Sequence, residues 1–575
     1  MANRTGCPTL AAMLKPRFIV RLVYANLWLA ALVFCAAGCG GSASDESADG
    51  QVFRYNASDG LASLDPAQAR DLESMWVIDQ LYEGLVELTP GLEVVGALAR
   101  SWQVDSAGTE IVFHLRSGVS FHGGQPLTAA DVVASWSRIV DPKVASPGRW
   151  IFDNLAARVD EEAHPGFFAR DDSTVVVQLR SPQPNFAGLL CTPYASVVRA
   201  GGAAEVGGAG AAEAAAGVDL LTEADGTGPF KLGWWAPGVA LVLHRHAGYW
   251  QRDAAGRGLP YLEAVHISFN REPAVEYLGL LQGRFDFVSG IDPAYAGELL
   301  DDEGDLLGQM EGVLRYERVP YLKTDYIGIL VDSEAVEKLG VPVAGVEVRR
   351  AMSLGVDRAA MSRYLRRGTT EPAVGFVPPG MPGFASGGRS ALRYDPDEAR
   401  QMMEGLGFTP EEPMTGLWLS TKPETADLCA YLQHAWQQIG VDVRIDVAPS
   451  GVDAERVARG EAPLFRKSWL ADYPDAENYL ALFTSERKAP DGPNYARFSD
   501  PTVDSLYNRM QVERNANLRL DLQREMERAV LKHMPVIPLW HDRVSHFLRK
   551  EVAGWQISPS NRLDLRRVQK HNQKQ

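Results

Sequence analysis

Cysteine is scarce, 5 among 575 residues, and no Cys-x-x-Cys pair or close Cys/His cluster occurs. That excludes a disulfide-stapled scaffold and a zinc site of the usual ligand spacing, and no cofactor or metal is expected. Other chemical signatures are missing too. The chain has no Gly-x-Ser-x-Gly elbow, no His-Glu-x-x-His pair and no Gly-x-x-x-x-Gly-Lys phosphate loop, which removes the common serine hydrolases, zinc peptidases and P-loop enzymes. Positive charge is in deficit: 57 Lys+Arg against 73 Asp+Glu give a formal net charge of −16. Such a body repels phosphate backbones, so nucleic acid is not an expected partner. No apolar run reaches the roughly 20 residues that cross a bilayer, and no fixed period marks a repeat. What remains is the composition of a large globular protein, 46% hydrophobic and 23% charged, long enough for three or four structural units.

The most apolar segment stands near the N-terminus. Lys15, Arg17 and Arg21 precede a run whose uninterrupted part is Leu27 to Ala37, followed by the small residues Gly38 and Cys39. A basic flank, a short apolar stretch and a small-residue end read as an export signal over residues 1–38, starting at Met1 or Met13. Because Cys39 is followed by the polar GGSASDESADG, the segment resembles a bacterial lipoprotein signal. That resemblance implies acylation at Cys39, a tether over residues 39–50 and attachment to the membrane of the cell envelope. Ala36 departs from the Leu usual in that pattern, and ordinary cleavage nearby is the alternative. Cys191 and Cys429 would then be the remaining thiols, read as buried apolar groups.

Along the rest of the chain, strand-like alternation and helical spacing are mixed, which makes the fold class α/β or α+β. In GTEIVFHLRSGVSFHGGQPLT, Ile111, Phe113 and Leu115 face one side and Val112, His114 and Arg116 the other, as two strands about turns. Thr128 caps a helix carrying Val132, Val133, Trp136 and Ile139, ended by Asp141-Pro142. A low-complexity stretch, GGAAEVGGAGAAEAAAG, reads as a surface loop. Gly226, Gly228 and Pro229 form a turn before two short strands. YDPDEARQMMEGLGF is a helix entered at Asp395 or Pro396, and DLCAYLQHAWQQIGVDVRIDV runs helix, Gly440 stop, strand.

These blocks, in this order, resemble the extracellular solute-binding proteins of the peptide/nickel type, the oligopeptide- and dipeptide-binding receptors of ABC importers. SLDPAQARDLESMWVIDQLYEGLVEL, FHLRSGVSFHGGQPLTAADVVASWSRIVDP, GTGPFKLGWWAPG, RRAMSLGVDRAAM, YDPDEARQMMEGLGF, SWLADYPDAENY and HMPVIPLWHD carry the likeness across most of the mature chain. Membership implies an α/β, two-lobe periplasmic-binding-protein fold with an extra domain inserted in the first lobe. On that pattern lobe I comprises residues 51–95, 220–319 and 534–575, the inserted domain 96–219, and lobe II 320–533. PYLKTDYIGIL and MPVIPLW would cross between the lobes, which close on ligand.

The resemblance also implies a site. An Asp three residues after a Trp pairs with the ligand's α-ammonium group in peptide-binding members, and here these are Asp472 and Trp469. An ammonium is costly to strip of water, so an enclosed site needs a fixed carboxylate. The alternative for Asp472 is a turn cap before Pro474. Arg466 matches a position that meets ligand carboxylates, with an ion pair as its alternative. Tyr321, Lys323 and Thr324 lie in the crossing segment, whose backbone pairs with an extended peptide in those members; Tyr321 is equally a hinge packing residue. Trp234, Trp235, Tyr249 and Trp250 read as core or lobe surface, and His244 and His246 as a satisfied surface pair on one strand face. Tyr82 and Glu83 face the cleft or, for Glu83, hold a structural hydrogen bond.

The expected function is that of a non-enzymatic, monomeric receptor capturing peptides or peptide-like solutes for ABC permease subunits, in the periplasm or otherwise outside the cytoplasm. An exported hydrolase and a ligand-sensing envelope lipoprotein without transport are the alternatives.

Overall fold

The computed structural model describes residues 51–156, 166–199, 224–342, 345–382, 384 and 392–571. The signal segment, Cys39, the tether and the low-complexity stretch lie outside the described residues.

The main sheet contains β1 (Val52–Asn56), β2 (Phe230–Ala236), β3 (Ala240–Arg245), β4 (Ala264–Ser268), β5 (Phe287–Ser289), β6 (Leu314–Ile329), β7 (Met414–Thr421), β8 (Val441–Val447), β9 (Leu464–Leu470) and β10 (Val536–Arg549). In space they run β8-β7-β9-β6-β10-β5-β1-β4-β3-β2, and Thr370–Pro372 adds an eleventh strand beside β10. The pairs β1–β4, β1–β5, β7–β8 and β7–β9 are parallel. Parallel neighbours need crossover connections, and the helix Ala426–Gln437 supplies the one between β7 and β8.

Most of the burial divides among three regions of the described residues. One gathers Phe53, Tyr55, Trp76, Leu241, Val265 and Ile267 with the late residues Trp555 and Leu565. A second flanks the far half of the sheet on both faces, with Ile327, Leu419, Trp436 and Ile537 on one side and Leu322, Tyr326, Phe376 and Tyr479 on the other. The third is separate: Val132, Trp136 and Phe152 pack with Phe113 and Phe167 of a four-stranded sheet ordered Ala99–Val104, Glu110–Leu115, Thr174–Gln178, Phe167–Asp171. That sheet is inserted between β1 and β2. The result is the two-lobe α/β fold with an inserted domain.

The lobes are joined by β6 and β10, which pair antiparallel from Leu314↔Arg549 to Gly328↔Val536. Leu314 and Phe547 pack in a cluster at one end, and Ile327 and Ile537 belong to the core at the other. Between Pro320 and Thr324 the register shifts. Two continuous strands with a local irregularity thus run from one cluster to the other.

Local signals act as their chemistry requires. The helix Ala129–Val140 starts at Thr128, whose N–H donates to Asp131 Oδ2 at 2.9 Å. Pro396–Gly405 starts at Asp395, which accepts from Glu398 N at 3.0 Å. Gly440 takes φ +84° between helix and β8. Gly226 and Gly228 press on the end of the helix Leu72–Leu81, where a Cβ would lie 2.1 Å from Leu81 O and 2.5 Å from Gln80 O respectively.

Two local expectations need correction. Only Glu110–Leu115 forms a strand of the expected pair; its successor contributes a single bridge, Ser120↔Pro126. His244 and His246 do not share a strand face, because β3 ends at Arg245. His246 is buried, and its ring meets His122 edge-on at 5.0 Å. Both rings reach Gly228 O at 3.1 Å.

Candidate ligand-binding site

The segment after β9 folds back on itself through a single amide. Asn478 Oδ1 accepts from Trp469 Nε1 at 2.8 Å and from the Asp472 backbone N–H at 3.4 Å. Asn478 Nδ2 donates to Asp472 Oδ2 at 3.3 Å. The loop is anchored from behind: Asp475 accepts from Glu477 N at 2.9 Å, from Gln523 Nε2 at 2.7 Å and from Arg519. Glu477 accepts from Tyr473 and Tyr507, and from Gln511 Nε2 at 2.8 Å. In this turn Asp475, not Asp472, binds a forward backbone N–H.

Asp472 itself has no basic partner: no Lys, Arg or His among the described residues forms an ion pair with it. Asp472 is exposed, yet the protein around it takes enough water from the carboxyl to raise its pKa, and the Asn478 amide works in the opposite direction. Across from it stands Tyr194 of the inserted domain, whose phenol is pushed up to about 12 by burial and by the Asp472 charge. Trp150 of the inserted domain also meets Tyr473, with ring centroids 5.6 Å apart. The loop therefore lies where the inserted domain faces the second lobe.

Next to this carboxylate runs an open strand edge. β9 pairs with β6 from Leu464 to Leu470, but its pairing with β7 covers only Leu464 and Phe465. Ala471 N donates to Leu322 O at 2.9 Å. Since bonded pairs alternate along an antiparallel ladder, Trp469 turns its backbone groups to β6, and Ser468 and Leu470 turn theirs outward. Among the described residues no strand lies beyond them.

The other expected residues form a second cluster. Lys323 Nζ lies 2.5 Å from Asp542 Oδ2 and 3.5 Å from Asp325 Oδ2. Arg466 forms an ion pair with Asp325, whose side chain is 1% exposed. Burial lowers the Arg466 pKa, and the Asp542 charge draws it back. Trp540 Nε1 donates to Asp542 Oδ1 at 3.1 Å. Tyr321, pushed up to about 12 by burial, bonds Asn561 and lines a hollow of about 280 Å³ with Asp542, Tyr364 and Arg366. Thr324 is fully buried, donates to Phe376 O at 2.9 Å and shares a hydrogen bond with His541 Nδ1.

The six expected residues thus fall into two groups. Trp469 and Asp472 meet through Asn478; Lys323 and Arg466 meet through Asp325 and Asp542. Thr324 has strands on both sides, facing Trp469 and His541, and Leu322 N is taken by Pro559 O at 3.1 Å. The free backbone edge belongs to β9 rather than to this crossing. Asn478, Asp325 and Asp542 were missed, although they sit inside the motifs SWLADYPDAENY, PYLKTDY and HMPVIPLWHD respectively. Glu83 holds a structural network, accepting from Tyr249 Oη at 2.7 Å, Thr227 Oγ1 at 2.9 Å and Trp250 Nε1 at 3.1 Å. Cys191 and Cys429 are free and buried. Among the described residues no group of three or more His, Cys, Asp or Glu is placed to hold a metal ion, and no helix is long and apolar enough to cross a membrane.

Comparison with known proteins agrees with this architecture. The chain is 27% identical over 557 residues to a probable deoxycholate-binding periplasmic protein, YgiS, of Escherichia coli, covering 92% of this chain and 96% of that one. It is 25% identical to di/tripeptide-binding protein 2 of Pseudomonas aeruginosa, covering 85% and 89%. Among solved structures, the murein tripeptide binding protein MppA of Escherichia coli superposes with a TM-score of 0.70 at 24% identity, covering 91% and 99%. The binding protein DppA of Helicobacter pylori, in complex with the peptide STSA, gives 0.69 at 21% identity, covering 90% and 97%. Residues 93–491 match the middle region that defines the bacterial extracellular solute-binding proteins of family 5, and the chain belongs to that family.

Proposed function

We propose that the protein is the substrate-binding receptor of an ABC importer and captures peptides or peptide-like solutes by their free amino end. The observation that carries this reading is Asp472: a carboxylate at the exposed surface of the loop, held by an amide, without a cation among the described residues, beside the outward backbone of Ser468 and Leu470. An ammonium group would supply the missing charge, and an extended main chain would add to the open edge without regard to side chains. The names of relatives that bind di- and tripeptides point the same way. Trp469 packs against the core behind the loop and donates to Asn478. Arg466 and Lys323 meet Asp325 and Asp542 in place of a ligand carboxylate, and Tyr321 and Thr324 act as hinge residues. No chemistry is performed on the ligand.

In this proposal lobe I is 51–95, 220–319 and 534–575, the inserted domain 96–219 and lobe II 320–533. The chain acts as a monomer outside the cytoplasm, held to the membrane through Cys39, and presents its closed form to the permease subunits.

Thermal stability with di- to pentapeptides, free and N-acetylated, tests the reading. Saturation at 100 times the dissociation constant stabilises by about 2.7 kcal/mol. Free peptides should raise the melting temperature and N-acetylated ones should not. Stabilisation by deoxycholate and by no peptide would overturn the ligand class.

A further inference from the structure

A second feature lies away from Asp472 and has the opposite sign. Two adjoining open spaces of about 460 and 300 Å³ share Arg116, Trp250 and Arg252; the first adds Arg100, the second Arg566 and Arg567. In a chain of formal charge −16, this is a concentration of arginine on one concave surface.

The fold accounts for two of the five. Arg566 is matched by Glu87 and Asp564, each at 2.8 Å. Arg116 is fixed by Ala97 O at 2.6 Å and Gly96 O at 3.2 Å, with its guanidinium 4.6 Å from the Trp250 ring. Those carbonyls orient its charge without neutralising it. The other three are exposed. Arg252 bonds only Gly256 O, at 3.0 Å, and the side chains of Arg100 and Arg567 make no hydrogen bond or ion pair among the described residues. Among the described residues Glu87 is the only acid that lines either space, and Arg566 already engages it.

We propose that the arginine cleft around Trp250 is an anion site that takes a phosphate-bearing group. Like charges gathered in a concavity repel one another and focus the field there, an arrangement relieved by a multiply charged anion. Planar guanidinium forks match phosphate oxygens in pairs, and the Arg116 fork is already oriented. The chain also enters the fold near this cleft. Gln51 Nε2 donates to Lys570 O at 2.8 Å, and Lys570 is three residues from Arg567, about 10 Å of extended chain. A lipid head group and a soluble polyphosphate share the required chemistry.

Two probes separate these sources: tripolyphosphate by calorimetry, and phosphatidylglycerol/phosphatidylcholine vesicles by flotation, both with the full chain. Wild type should bind at least one, with affinity falling as salt rises. The double variant Arg100→Glu/Arg252→Glu should weaken that binding tenfold or more, Arg567→Gln alone should weaken it severalfold, and Arg400→Glu, on another surface, should not change it. Vesicle binding alone identifies the lipid source, and tripolyphosphate binding alone the soluble one. Binding of neither probe by wild type, or equal binding by wild type and by Arg567→Gln and the double variant, would overturn the site. Binding of poly-glutamate but of neither phosphate probe would also overturn it, in favour of an acidic protein partner.

Discussion

The side-chain amide of Asn478 lies 3.3 Å from the Asp472 carboxylate and 2.8 Å from the Trp469 indole nitrogen. One residue therefore sets the distance between the two groups that the ligand reading depends on. It also supplies a donor that favours the charged form of Asp472 against the effect of desolvation.

Replacing Asn478 by Ala should raise the Asp472 pKa further. Free-amine ligands need the carboxylate, so their affinity falls as pH drops through that pKa, and the fall should begin at higher pH in the variant. Calorimetry from about pH 8 downward into the carboxylate range, with free and N-acetylated tripeptide, reads this directly. Asp472→Asn should remove the pH step; superimposable profiles for wild type and Asn478→Ala would rule out the role given to the amide.

Acid should weaken the contact between the inserted domain and the first lobe. Burial, with the neighbouring His246 charge, lowers His122 to about 4, and His246 is lowered by burial as well. An unfolded histidine titrates near 6.5, so the unfolded state binds more protons between those values. The His122 contribution is complete above about pH 6.5 and lost as pH falls towards 4, roughly 3 kcal/mol in all. Urea unfolding at pH 7.5 and 4.5 should show a smaller difference for His122→Asn than for wild type.

Asp325 is buried against the half-buried cations Arg466 and Lys323, so Asp325→Ala should destabilise, but by less than the ~3–5 kcal/mol of a fully buried broken pair, because Asp542 still faces Arg466. Asp325→Leu combined with Arg466→Met should recover most of that loss in chemical denaturation. A double variant as unstable as Asp325→Ala would show that the pair is not the source of the effect.

Cys39→Ser should move the protein from the membrane pellet to the soluble fraction of an envelope preparation if its thiol carries the anchor. Unchanged fractionation would remove the acylation proposal and leave the receptor reading intact.

Much of the fold is legible residue by residue. Thr128, Asp395 and Gly440 mark helix ends because capping and left-handed backbone are local requirements. The alternation of Ile111, Phe113 and Leu115 shows which face of a strand is buried. The site is less legible. Asp472 and Trp469 stand out from their motif, but nothing local shows that Asn478 closes back on both. The Arg466 partner is harder still, since Asp325 is distant in the chain and meets it only after β6 and β9 come into register. His246 misleads for a related reason: two residues from His244, it invites a shared strand face, and the strand ends between them.

The sequence by itself determined which segments become helices and strands, because those choices depend on neighbours within a few residues. It also determined family membership, through motifs whose order survives in the chain. Tertiary structure alone decided which charges are already matched and which are left over. Among the described residues Arg466 is taken up by Asp325, Asp472 keeps no cation, and Arg100, Arg252 and Arg567 face one cleft. Coulomb interactions and burial depend on distance in space, which chain position does not give.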